Sequence, residues 1–299
     1  MKNMLKENIN LQTPVKILVS PFSGFTAASI VCGIGSCFAE NLLSLLYDCG
    51  FKGMQNPCGT VYNAVSLTEP IVRIAENRFY SADDFFEYGR SWHGWEHHGA
   101  FSAGTLEIAL DKANSELSGF SEALKKADLF VATPSSSVVY VYNGTGKITA
   151  NCHKVPGSEF TRRLLSVEEN LAALRLMTAK MCEINPACKI ILTLSPVRHY
   201  PGELILNSRS KAHLLTAIHA CIEDFSQICC YFPAYEIVMD ELRDYRFYKE
   251  DMLHPAEPAV RMICSRFIRT FFNGKAIGHI QEELKQIRLK RHIALHKDN

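Results

Sequence analysis

The chain has 299 residues, 47% of them hydrophobic and 21% charged, with 32 basic against 31 acidic side chains for a formal net charge of +1. These figures describe a soluble globular protein long enough for one large α/β domain. They exclude a protein built around nucleic acid or an anionic membrane, either of which demands a strong basic excess.

Taken in order, the chain first presents residues 17–39, which carry no charge and follow Lys2, Lys6 and Lys16. Pro21, Gly24, Gly33 and Gly35 interrupt any long helix there, so a strand, a loop and a strand are expected in place of a leader or a membrane span. Residues 29–35 (SIVCGIG) read as a short buried strand, and residues 38–49 as a helix with Leu42, Leu45, Leu46 and Cys49 on one face. Residues 129–133 form the next apolar strand. Residues 137–142 and 147–151 flank Asn143-Gly144 and read as a β-hairpin inserted in the main fold.

Ser166 and Glu169 stand in capping-box spacing at the head of a helix over residues 166–184. A strand over 189–194, a helix over 211–225, a strand over 229–232 and an amphipathic run over 259–272 follow. Apolar strands that alternate with helices of this length predict an α/β fold with a parallel central sheet covered on both faces, binding ligands at the carboxyl ends of the strands. Residues 1–274 are expected to form that domain. Residues 275–299 add a C-terminal helical extension that turns basic from Lys285 through Arg288, Lys290, Arg291 and Lys297, read as a docked helix with a solvated outer face.

The eleven cysteines include no Cys-x-x-Cys pair that could grip zinc or act as a redox couple. Many lie inside apolar runs, where a free thiol behaves as a small hydrophobe, and a reducing, cytoplasmic setting is expected. The run Trp92-His93-Gly94-Trp95-Glu96-His97-His98 has aromatic and imidazole groups suited to a substrate-facing loop. Gly94 opposes the helix that would put His93 and His97 on one face, so no metal site is expected.

Two segments carry chemistry. At Gly33-Ile34-Gly35-Ser36-Cys37-Phe38 a core strand turns into a helix, and a serine there would meet the positive end of the helix, which stabilises an oxyanion. The same serine could equally be an N-cap. Asp251 and His254 stand three apart, close enough for a carboxylate to orient an imidazole that acts as a general base.

Five ordered blocks then become recognisable: GSCFA (35–39), NPCGTVYNAVS (56–66), NCHKVP (151–156), LSPVRH (194–199) and YFPAYEIVMDELRDYRFYKEDMLHP (231–255). Through them the chain resembles the bacterial family named after the first pentapeptide, which is similar to the Ser-Gly-Asn-His hydrolases of flavodoxin-like three-layer fold. The resemblance implies a serine esterase or deacylase acting on an ester-linked acyl group, such as an O-acetylated carbohydrate, or an acyltransferase using the same site. It implies Ser36 as nucleophile, Asp251 and His254 as its partners, and an oxyanion hole formed by Ser36, Gly59 and Asn151. Asn56 competes as a donor, and His153, Arg198, His199, Trp92 and Trp95 are candidate substrate-binding residues. Family members carry a Gly-Thr pair where this chain has Pro134-Ser135-Ser136-Ser137, which opens the reading of a non-catalytic binding protein. Cys37 is a further candidate nucleophile, because a helix start lowers a thiol pKa; adjacent helical residues point about 100° apart, so Ser36 and Cys37 cannot both face His254. Acyl transfer of this kind needs no cofactor and no metal. The expected partner is a small-molecule or carbohydrate ester, with no nucleic acid and no membrane span, and the oligomeric state is not legible.

Overall fold

The computed structural model describes residues 13–17, 21–199 and 203–297. In chain order it runs β1 (Val31–Gly35), α1 (Cys37–Asp48), α2 (Ala64–Ala75), the hairpin β2 (Phe85–Tyr88) and β3 (Ser91–Gly94), and α3 (Leu106–Leu124). Next come β4 (Leu129–Thr133), β5 (Val138–Tyr142), β6 (Ile148–Thr149), β7 (Phe160–Leu164), α4 (Val167–Ile184) and β8 (Lys189–Leu192). The chain closes with α5 (Leu204–Asp224), β9 (Cys229–Tyr231), the single turn α6 (Ala234–Glu236), α7 (Glu257–Phe271) and α8 (Gly274–Lys297).

The central sheet has the order β1-β4-β8-β9, every pair parallel. Residues 52–55 extend it beyond β1: Ile30 bridges Lys52, Gly33 bridges Gln55, and the Val31 N–H donates to Lys52 O at 2.9 Å. Counting that irregular strand as the second, the order is the 2-1-3-4-5 of flavodoxin-like folds. It is irregular because the backbones nearly touch there. A Cβ on Gly53, whose φ is 145°, would lie 1.8 Å from Val31 O.

Alternation along the strands sorts the core by face. Val31, Leu129, Val131 and Ile191 pack with α1, α7 and α8, whereas Cys32, Ile34, Phe130, Ala132, Ile190 and Leu192 pack with α2, α4 and α5. The sheet is thus sealed on both sides, as the near-continuous apolar strands require.

The expected hairpin forms as β5 and β6, and a third antiparallel strand, β7, joins on the other side of β5. The sequence reading offers no strand at β7, because its FTRRL is exposed through the middle and shows no apolar run. Helix α4 begins on Ser166 with the full reciprocal capping box to Glu169. Helix α5 starts at Leu204, ahead of the expected 211, where Leu204 and Ile205 stand exposed and break the apolar periodicity. Helices α2 and α3 lie outside the sequence-based expectations. The first holds Pro70 in its interior, a residue that argues against a helix, and the second is mostly polar.

The first turns of α8 belong to the main core: Ala276 and Ile280 are buried with Cys49 and Phe51, and His279 Nε2 lies 2.8 Å from Cys49 O. The side chains of Arg291 and Lys297 and the residue Asp298 lie outside what the structure describes, as do Lys2 and Lys6. Among the described residues no helix is long and apolar enough to cross a membrane, and the cysteines are free.

One buried cation ties the helical layer to the strand ends. Lys211 of α5 is 2% exposed, and its Nζ donates to Ser135 O at 2.5 Å and Ser195 O at 2.8 Å. These carbonyls follow β4 and β8. Burial pushes the Lys211 pKa down to about 7, since a charge inside protein loses its hydration.

Two predictions follow from this packing. Gly35→Ala would drive a Cβ to 2.4 Å from Thr133 O at a φ of 141°, and is expected to cost about 3 kcal/mol in urea unfolding. Between the folded pKa of Lys211, about 7, and its unfolded value near 10.4, the unfolded chain carries a proton that the folded chain lacks. The Lys211 penalty is therefore full below the lower value and fades as pH rises through the window. The stability of wild type minus that of Lys211→Met is expected to increase from about pH 7 to about pH 9, with the buried thiols cancelling because both proteins share them. A flat difference would contradict the buried charge.

Candidate active site

The site is built at the carboxyl ends of β1, β4 and β8, where four loops meet the N-terminus of α1. Its geometry begins at Gly35. The Gly35 N–H donates to Asn56 Oδ1 at 2.8 Å, its carbonyl accepts from Val61 N–H at 3.2 Å, and the next N–H, that of Ser36, donates to Thr133 O at 3.1 Å. The turn is thus held on every polar backbone atom. Ser36 becomes the N-cap of α1, with Oγ accepting from Phe38 N–H at 3.3 Å, and it is completely buried. Cys37, the first helical residue, points elsewhere and is half-buried.

The loop before α7 holds the Asp251–His254 pair. Asp251 Oδ2 lies 2.7 Å from His254 Nδ1, while Oδ1 accepts from the N–H groups of Leu253 and His254 at 2.8 and 3.0 Å. These backbone donors, followed by the imidazole, hold the Asp251 carboxyl down at about 2. The loop is closed by Lys249 N–H donating to His254 O and Arg198 N–H donating to Leu253 O. With Nδ1 on the carboxylate, Nε2 is the ring atom left for chemistry.

A cleft of about 180 Å³ joins the two halves, lined by Cys37, Phe38, Val197, Lys249, His254 and Pro255 among others. Cys37 and His254 therefore face one space. Ser36 is not part of its wall, and no hydrogen bond joins Ser36 to His254. The Cys37 thiol is pushed above its ordinary range by burial and by Glu40, against a partial opposing pull from Lys249 and Lys211.

The remaining expected residues divide. His199 lies by the cleft: its Nε2 is 2.5 Å from Ser135 Oγ, its ring stands edge-on to Tyr62 at 5.4 Å, and burial, with Lys211 and His254 nearby, lowers its pKa to about 3. It is a neutral imidazole. Arg198 turns away and lays its guanidinium over Tyr248, 4.2 Å from the ring centroid. Asn56 has its oxygen spent on Gly35, as above. The Gly59 N–H is committed to Asn56 O at 2.8 Å, in a left-handed turn (φ 76°) where a Cβ would meet His98. An oxyanion hole using the N–H groups of Ser36 and Gly59 would require both bonds to break.

Asn151 and His153 belong to a separate aromatic cluster. Asn151 Oδ1 accepts from His153 N–H at 2.8 Å, and His153 Nε2 lies 2.9 Å from Gly94 O. Trp95 is stacked between Phe86, at 3.7 Å, and Tyr142, at 4.6 Å, so both ring faces are occupied by the protein itself. Trp92 pairs with Ala103 through backbone hydrogen bonds. This cluster packs the β5-β6-β7 unit on the β2-β3 hairpin, with Trp95 held inside it. Among the described residues no group of His, Cys, Asp and Glu is arranged to hold a metal ion.

The sequence reading missed Tyr62, Ser135 as a buried polar hub, and Lys211. Pro134-Ser135-Ser136-Ser137, flagged as a departure from the family pattern, proves to be a hydrogen-bonded core segment. The N–H groups of Ser135 and Ser136 donate to Tyr62 O at 2.7 and 3.0 Å, Ser137 Oγ donates to Ser210 O at 2.8 Å, and Asn170 Nδ2 donates to Ser137 Oγ at 3.2 Å. Among the cysteines, Cys37 lines the cleft. Cys58 is buried against Tyr80, its Sγ 3.3 Å from the phenol oxygen, and Cys152 lies with the aromatic cluster.

Comparison with solved structures returns weakly similar chains. A candidate GDSL-like lipase from Parabacteroides merdae shares 12% identity over 87% of this chain and 100% of that one, with a TM-score of 0.44. An acetyl xylan esterase from the rumen bacterium Butyrivibrio proteoclasticus shares 10% over 82% of this chain and 63% of that one, at 0.42. A carbohydrate esterase family 3 protein from Talaromyces cellulolyticus shares 10% over 88% and 98%, at 0.37. No curated protein matches. The GSCFA family model matches residues 30–267, a span that takes in the start of β1, the Asp251–His254 pair and most of α7, and the chain accordingly belongs to the GSCFA family.

Proposed function

We propose that the protein is an ester hydrolase or acyltransferase that works through a covalent acyl intermediate, with His254 as general base and Cys37 as nucleophile in place of the expected Ser36. The observation that carries this reading is the cleft shared by Cys37 and an Asp251-oriented His254. Ser36, which is buried and caps α1, supports the turn that presents Cys37.

In the first half-reaction the Cys37 S–H proton passes to His254 Nε2 as sulfur bonds to the ester carbonyl carbon. The imidazolium that forms is stabilised by Asp251 across its 2.7 Å hydrogen bond. Collapse of the tetrahedral intermediate breaks the ester C–O bond, and the leaving alcohol takes the proton from His254. In the second half-reaction water, or an acceptor hydroxyl in a transferase, gives its proton to His254 and attacks the thioester, and the returning proton restores the thiol. The N-terminus of α1 provides positive potential where the oxyanion develops, and the buried Lys211 adds to it. Burial holds the thiol above its usual range, so at neutral pH it is protonated and depends on the base.

On short-chain aryl esters, Cys37→Ala and His254→Ala are each expected to lower kcat by about 10³-fold or more, and together by no more than either change, since they act as a unit. Ser36→Ala is expected to keep most turnover and to lose about 1 kcal/mol of stability as a lost helix cap. The reverse pattern, with Ser36→Ala inactive and Cys37→Ala active, would return the role to Ser36. Intact mass after incubation with an activated ester reads the intermediate directly: one acyl group on the wild type and none on Cys37→Ala. A wild type that neither turns over nor acylates would favour a non-catalytic binding protein that retains the fold.

A further inference from the structure

The cleft lies next to a larger space. Asn41, Glu257 and Val260 line it, and the same three residues line a second, larger hollow of about 660 Å³ between α1, α7 and α8. The two spaces share that wall. Beyond the shared residues the hollow is faced by Leu45 of α1, Ile268 of α7, and Ile277, Leu284 and Ile287 of α8. On α8 these positions are separated by three- and seven-residue steps, one stripe along the helix, and from Ile277 to Ile287 the stripe runs about 15 Å. Leu45, Val260, Ile277 and Leu284 are partly exposed while packed against the core. The docking of α8 through Ala276 and Ile280 thus leaves a largely apolar trough, which Asp48, Arg261, Arg269 and Arg288 also line, adjoining the cleft at Asn41, Glu257 and Val260.

We propose that this trough receives the acyl chain of the substrate, so that the preferred ester carries a medium or long unbranched acyl group and not acetyl. The inference rests on Cys37 and His254 being the reactive pair. With the carbonyl carbon at Cys37, a linear chain would run past Val260 into the trough, while the alcohol faces the solvent side near Lys249. The C-terminal helix acts as the ruler of chain length. A carbohydrate hydroxyl can still be the alcohol, but the selectivity lies on the acyl side.

The test compares p-nitrophenyl acetate, hexanoate and decanoate with wild type, Leu284→Arg and Ile287→Arg, alongside saturable binding of a pyrene-labelled decanoic acid. Each methylene that leaves water for the trough is expected to raise kcat/KM about fourfold until the trough is filled. Both arginine variants, at partly exposed positions of α8 where the long side chain can reach solvent, are expected to keep acetate turnover. They are expected to lose the chain-length gain and to weaken pyrene-decanoate binding at least tenfold, whereas Cys37→Ala abolishes turnover and leaves that binding intact. A chain-length profile that is flat in wild type, or binding unchanged by both arginine variants, overturns the trough while Cys37-dependent acetate turnover keeps the enzymatic reading. Loss of turnover on every ester, with pyrene-decanoate binding still lost in the arginine variants, overturns the reaction and keeps the trough as an acyl-binding site. A dimer in sedimentation that Leu284→Arg converts to monomer would make the occupant a second copy of the chain, and would also overturn the proposal.

Discussion

The end of β1 lies so close to β4 that Gly35 has no room for a side chain: a Cβ there would sit 2.4 Å from Thr133 O. From that contact the rest of the site is set. The carbonyl of Thr133 takes the Ser36 N–H, Asn56 takes the Gly35 N–H, and Val61 donates to the Gly35 carbonyl, so the chain has one way to leave the strand. It leaves with Ser36 in an extended, capping conformation and α1 beginning at the next residue. A helix rotates successive side chains by about 100°. Placing Ser36 under the first turn therefore places Cys37 in the cleft.

Around this rigid turn the protein carries two contrasting buried cations. Arg73 is 2% exposed and is surrounded by carboxylates, with Nη2 at 2.7 Å from Glu96 and 2.8 Å from Asp84, so its charge is matched inside the fold. Lys211 is equally buried but is held by the carbonyls of Ser135 and Ser195 and by the Ser135 hydroxyl at 3.4 Å. It sits below the ends of β4 and β8 with its pKa lowered toward neutrality. The first arrangement is structural, joining α2 to the β2-β3 hairpin. The second leaves a cation without a carboxylate partner within electrostatic reach of Cys37 and beside a neutral His199.

The helical layer that packs on the Val31 face of the sheet has two duties. Its buried side, with Phe267, Phe271 and Ile280, closes the core. Its outer side borders the hollow between α1, α7 and α8, which shares Asn41, Glu257 and Val260 with the cleft that Cys37 lines. Because α7 follows directly from the loop bearing His254, and α8 follows α7 after two residues, His254 and two of the three helices around the hollow come from one continuous stretch of chain, while α1 supplies the third.

The sequence by itself determined whatever depends on near neighbours. The apolar strands β1, β4, β8 and β9, the Ser166–Glu169 capping box, the hairpin turn at Asn143-Gly144, and the Asp251–His254 pair are all local: the interacting groups are within a few residues, and spacing alone brings them together. The resemblance in five blocks named the family that the match over residues 30–267 establishes. What it could not decide was direction. Ser36 and Cys37 are one bond apart in the chain, and which one meets His254 depends on the approach of Thr133, about a hundred residues away in sequence. Gly59 and Asn151 carried equal promise as residue types, yet the first spends its N–H on Asn56 and the second lies in a cluster built on Trp95 and Phe86. Lys211 and Tyr62 carried no local signal, because a lysine in a helix and a tyrosine in a loop look ordinary until the strands that surround them are in place. Backbone conformation and capping are short-range and legible in the sequence; the facing of side chains across a sheet is set by long-range packing, and only the tertiary structure decided it.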